Sequence, residues 1–106
     1  MLFETRDQIL FCSDLFHQIG DLPATTSDDV VGRYGDAIAE MQRHPVLMDY
    51  MPFTPQTRRR LNELAALEPR MLAAMHGSTF VGDGGAALRA AADVMEQHLG
   101  EAAGVR

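Results

Sequence analysis

Lysine is absent from the 106 residues, cysteine occurs once, and no apolar run approaches the length of a membrane span. Each absence excludes something. The single thiol, Cys12, has no partner for a disulfide within the chain, so a reducing compartment is the simpler setting and a cytoplasmic location is expected. A bilayer-spanning helix needs roughly 20 consecutive apolar residues, so no membrane partner is expected. Positive charge is scarce as well: nine basic residues, all arginine, stand against fifteen acidic ones and leave a formal charge of −6. Such a balance lacks the basic footprint of a nucleic-acid binder or an anionic-membrane binder. The opening Met-Leu-Phe-Glu-Thr-Arg-Asp has no basic segment followed by an apolar stretch, so it reads as the start of a strand rather than a secretory leader.

The length allows one domain at most, and 46% hydrophobic with 23% charged residues is an ordinary globular composition. Met1 to Thr5 and Gln8 to Ser13 read as two strands around the polar turn Arg6-Asp7. In the second strand Ile9 and Phe11 alternate with Leu10 and Cys12, so both faces are apolar and both expect cover. Gly20 to Thr26 is a loop. A helix follows with Thr26 or Ser27 as its N-cap, Asp28-Asp29 in the first turn, and Val31, Tyr34, Ile38 and Met41 as the buried stripe. Gly32 and Gly35 weaken it by about 1 kcal/mol each relative to alanine.

His44-Pro45 ends or kinks that helix, and Val46 to Phe53 takes no clear assignment. Thr54-Pro55 starts a second helix with Leu61, Leu64 and Ala65 inward, closed by Glu68-Pro69. Arg70 to Met75 reads as a third strand, His76 to Gly82 as a loop, and Asp83 as the cap of a last helix stopped by Gly100. The order β-β-α-α-β-α predicts an α/β fold, a sheet with helices packed on it.

Two side chains of metal-binding type stand at strand ends. Asp14 follows the second strand directly, and His76 opens the Gly-Ser-Thr loop after the third. Taken singly, Asp14 also reads as a turn or cap aspartate and His76 as a hydrogen-bonded loop residue. Cys12 sits two positions before Asp14, as a buried structural thiol or a group behind the site. His17 is close enough in sequence to approach a ligand held near Asp14. His44 and His98 fall on helix ends or surfaces, Arg58-Arg59-Arg60 on a solvated helix face, and the methionines serve as core or interface filler.

The stretch Leu10-Phe11-Cys12-Ser13-Asp14-Leu15-Phe16 resembles the segment that supplies the bridging aspartate in metallo-β-lactamase-fold proteins, closest to the flavodiiron and oxygen-binding di-iron branch. Met75-His76-Gly77-Ser78-Thr79-Phe80, with Gly82-Asp83-Gly84 opening a helix, is similar to that branch's last histidine ligand and closing helix. The likeness covers nearly all of residues 1–106, as the C-terminal half of the family's fold. It implies a partial αββα sandwich made of a β-hairpin, two helices, one strand and a C-terminal helix. It also implies Asp14 as the carboxylate bridging two metals, iron or zinc, and His76 as a terminal ligand on one of them.

The family's H-x-[HE]-x-D-H motif and its further histidine do not occur among these residues, and the family pattern places no ligand at His17. The implied function is therefore a piece of a metal-dependent hydrolase or a di-iron oxygen-binding or oxygen-reducing protein, inactive unless the remaining ligands are supplied. The other reading is a non-enzymatic module that dimerises or docks through its apolar sheet face. Either way a homo-oligomer or a complementary N-terminal half is expected. Covering several hundred Å² of apolar surface at about 25 cal/mol per Å² contributes roughly 10 kcal/mol before association costs.

Overall fold

Strand β2, Ile9–Ser13, divides its side chains between two unlike environments: Leu10 and Cys12 are fully buried, whereas Phe11 is 44% exposed. The pairing around it explains the split. A computed structural model of the chain describes residues 1–44 and 53–99, and among them it is an α/β fold with one mixed five-stranded sheet and three helices. Strand β1, Leu2–Glu4, pairs antiparallel with β2. The turn between them is held by the Arg6 and Asp7 amides, which donate to the Glu4 carboxylate at 2.8 Å each. On its other side β2 runs parallel to β4, Met71–Ala74. Strand β5, Thr79–Val81, returns antiparallel to β4, and β3, Thr25–Thr26, closes the far edge parallel to β5.

Residues facing one another across paired strands share a sheet face. Leu10 stands opposite Phe3 and Leu72, and Leu72 opposite Phe80, so this row points to the helices. Helices α1 (Val30–Gln42), α2 (Pro55–Ala65) and α3 (Gly84–Leu99) bury Val30, Tyr34, Ile38, Leu61, Leu88, Ala91 and Met95 against it. The alternate row, Leu2 opposite Phe11 and Phe11 opposite Ala73, with Met71 opposite Val81, forms the other face. There Leu2 is 68% and Val81 43% exposed. Among the described residues the sheet is therefore covered by helices on one side and bare and apolar on the other.

The hairpin, the Thr54-Pro55 helix start, the strand before His76 and the closing helix stand where the sequence places them. Pro55 occupies the first helical position, and the Thr57 hydroxyl accepts the Thr54 amide at 3.0 Å. Asp83 caps α3 by accepting the Ala86 amide at 3.0 Å.

Several expectations are corrected. The single third strand is joined by β5, and β3 lies in the expected loop 20–26, which makes a five-stranded mixed sheet. The cap of α1 is Asp29, whose carboxylate accepts the Gly32 amide at 2.8 Å; the Thr26 hydroxyl instead accepts the Asp28 amide. Moving the start to Val30 turns Val30 and Ala37 fully inward and leaves Val31 and Met41 half-buried. Gly35 has a packing role: a Cβ there would stand 3.1 Å from Val94 Cγ1, so its bare backbone lets α1 approach α3 closely. Arg58 is not simply solvated. It clamps α2 to α3 through Asp93 at 2.9 Å and Glu96 at 3.1 Å. Of the unassigned 46–53 stretch, Phe53 is buried in the core, and the remainder lies outside the described residues, as does Gly100.

The two faces make a direct prediction. Leu10→Ala removes a fully buried side chain and is expected to cost about 3 kcal/mol. Leu2→Ala, on the bare face, is expected to cost well under about 1 kcal/mol. Urea denaturation of the two variants checks the difference, and equal losses would mean that both faces are covered.

Candidate functional site

Parallel pairing brings the carboxyl ends of β2 and β4 to the same end of the sheet, so the loops that leave them are neighbours. The Met75 amide still donates to Ser13 O at 3.0 Å, one step beyond β4. At the end of β2 the register shifts between Phe11 and Ser13, and Ser13 adopts a left-handed φ of 53°. A left-handed backbone at a residue with a side chain is uncommon, and here it turns the chain sharply enough for the Leu15 amide to reach Cys12 O at 3.0 Å. Leu15 and Phe16 then drop into the core, and Phe16 packs on Tyr34 with ring centroids 5.6 Å apart. Asp14 is left at the corner of this turn with anchored residues on both sides.

His76 opens the neighbouring loop, and its carbonyl accepts the Gln18 amide at 2.9 Å. The side chains meet: His76 Nε2 lies 3.8 Å from Asp14 Oδ1. His17 joins them, its ring centroid 5.0 Å from that of His76 at an interplanar angle of 60°. Asp14 and His76 are 41% and 55% exposed, so the pair is open to solvent.

Burial lowers the pKa of the His17 imidazole below its usual 6.5, the neighbouring His76 lowers it further, and the Asp14 carboxylate opposes both. His17 is therefore held neutral more readily than a free histidine. Burial drives the Cys12 thiol up to about 12, which makes it an inert core group rather than a nucleophile. The Tyr34 phenol is likewise raised by burial, and then by the negative charge of Asp14.

Two donors bound to one iron or zinc ion at about 2.0–2.1 Å can stand no more than about 4.2 Å apart. The Asp14–His76 separation falls within that reach. The fit stops at two donors: among the described residues, no group of three or more His, Cys, Asp or Glu is arranged to hold a metal ion. A cleft of about 500 Å³ adjoins Asp14, between Cys12 and the α2–α3 side chains Arg60, Leu61, Leu64 and Met95. His44 pairs with Glu40 at 3.6 Å past the end of α1, and His98 lies in the last turn of α3.

The residues that join the two loops were not singled out by sequence. Gln18 is 4% exposed and Ser78 fully buried. Gln18 Nε2 donates to Ser78 O at 3.1 Å and to Phe16 O at 3.2 Å, while its Oε1 accepts the Ser78 amide at 3.4 Å. The Ser78 hydroxyl donates to Pro23 O. Arg33 Nη1, from α1, reaches both Gln18 Oε1 at 3.2 Å and Ser78 Oγ at 3.5 Å. Gly77 lies between with a φ of 122°, and a Cβ there would fall 2.6 Å from Gln18 Cβ.

Comparison of the chain with protein-family models, with curated proteins and with solved structures finds no match. No helix of the described residues is long and apolar enough to cross a membrane.

Two outcomes follow from this geometry. Gly77→Ala meets both an unfavourable φ and a collision with Gln18, and is expected to destabilise by about 2–4 kcal/mol in chemical denaturation. The lowered His17 pKa sets a pH dependence. Below 6.5 the unfolded chain takes up a proton that the folded chain refuses, so stability falls from there down to the lowered native value and then levels. Denaturation from pH 7.5 to 5 is expected to show this drop, and His17→Gln to flatten it.

Proposed function

We propose that these residues are one half of a metal-dependent αββα sandwich of the metallo-β-lactamase kind. A second β-layer, carrying further histidine and carboxylate ligands, would complete it by packing on the bare sheet face. The observation that carries the reading is the meeting of Asp14 and His76 at 3.8 Å, at the carboxyl ends of two parallel strands. The resemblance of the residues around each adds the family. An iron or zinc centre at that place would supply Lewis-acid activation of water or, as an iron pair, binding and reduction of dioxygen or nitric oxide. Asp14 would contribute the anionic oxygen and His76 a neutral imidazole. The lone buried thiol suits a reducing, cytoplasmic setting.

The bare face alone is small for any partner, whether a complementary layer or a second copy. Five strands about 4.8 Å apart, with roughly four residues of about 3.3 Å each, present about 300 Å². A stable interface buries about 800 Å² per partner. Two copies joined by this face alone would hold only weakly. A complementary layer that extended over the loops could also cover Ile19 and Met75, which stand 55% and 64% exposed and respectively follow Gln18 and precede His76 in sequence. The second reading, a docking module without catalysis, is favoured by one observation: the donor group stops at two among the described residues.

Residues 1–106 on their own are expected to bind Co²⁺ weakly, to lose it to a chelator, and to hydrolyse or reduce nothing. Asp14→Asn and His76→Ala should each abolish the weak binding. Binding that survives both variants would remove the metal reading and leave the docking module. Light scattering at micromolar concentration should show weak self-association that Phe11→Asp removes without loss of stability. A tight symmetric dimer would instead make the second copy the true cover.

A further inference from the structure

The geometry points to Arg33 as a positioning residue for the Asp14–His76 pair, acting through the Gln18 amide. The inference rests on reading that pair as the donor pair, and it adds a residue from a helix that carries neither donor. Gln18 has one acceptor oxygen and one donor nitrogen, and its two possible orientations exchange them. Arg33 donates only, so its guanidinium at 3.2 Å reinforces the orientation that the Ser78 and Phe16 backbone groups also require, and ties Oε1 to α1. In that orientation Nε2 faces Ser78 O and Phe16 O, and Oε1 also receives the Ser78 amide.

The consequence runs along the backbone. Gln18 N–H holds the His76 carbonyl, and Ser78 follows His76 by two residues. Locking the amide therefore locks the loop that carries His76 against the loop that carries Asp14 and His17. Asp28 pairs with Arg33 Nη2 at 3.4 Å, which leaves Nη1 directed at Gln18 and Ser78. Gly77 keeps the two loops in van der Waals contact at the same point.

The test uses metal-free protein, so that it can fail independently of the metal reading. In the intact chain the His17 and His76 rings, with centroids 5.0 Å apart, should give nuclear Overhauser contacts between ring protons. Arg33→Met keeps the stem and removes the donors. It is expected to lose that ring contact while the β2–β4 amide pattern persists, and Arg33→Lys, which still donates to Gln18 Oε1, is expected to restore it. Arg58→Met, which breaks the α2–α3 clamp without touching Gln18 or Ser78, should leave the contact intact. Retention of the ring contact in Arg33→Met, its loss in Arg58→Met as well, or general unfolding of Arg33→Met would each overturn the assignment. A Co²⁺ titration of the unaltered chain tests the donor pair separately.

Discussion

The Gln18 side chain, sealed against Ser78, is the constraint on which this end of the molecule depends. Strand pairing brings the exits of β2 and β4 alongside each other, but it ends at Ser13 and Ala74. Beyond those residues the backbone groups of two loops need other partners. Gln18 supplies them with its amide nitrogen, its side-chain nitrogen and its side-chain oxygen. Parting the loops would strand these groups in a buried place, at about 1–3 kcal/mol for each one left unsatisfied. The meeting of Asp14, His17 and His76 is thus a by-product of a closed polar network beneath them. The exposed Asp14–His76 contact contributes little on its own.

The same economy separates the two sides of the sheet. On the helix side, Leu10, Cys12 and Leu72 meet a core in which Gly35 allows α1 and α3 to approach and Arg58 ties α2 to α3. On the other side Leu2, Phe11 and Val81 lie in one apolar patch with no cover among the described residues. The Asp14–His76 pair stands at the end of this sheet, at the exits of β2 and β4.

Sequence reasoning recovered the elements whose signals are local. Alternation marked β2, Thr54-Pro55 marked the start of α2, and the strand ends marked Asp14 and His76. It missed β3 and β5 because two or three residues carry no period of their own; Thr25–Thr26 and Thr79–Val81 become strands only through each other and β4. The cap of α1 was misplaced because Thr26, Ser27, Asp28 and Asp29 are all capable caps, and tertiary packing of Val30 chooses among them. The Gln18–Ser78 network was invisible for a plainer reason. Its members lie sixty positions apart, and nothing near either shows that a glutamine will be buried. Gly77, beside Ser78, is the one local feature that could have suggested a close approach.

Amide hydrogen exchange tests the central claim most directly. If the Gln18–Ser78 network holds the two loops together, the Gln18 and Ser78 amides open only when the sheet does. Their protection should then equal that of Leu72 in β4, and all three should respond alike to added denaturant. Exchange of Gln18 and Ser78 within seconds, while Leu72 remains protected for hours, would show loops that part freely, and the convergence of Asp14 and His76 would then have no structural cause.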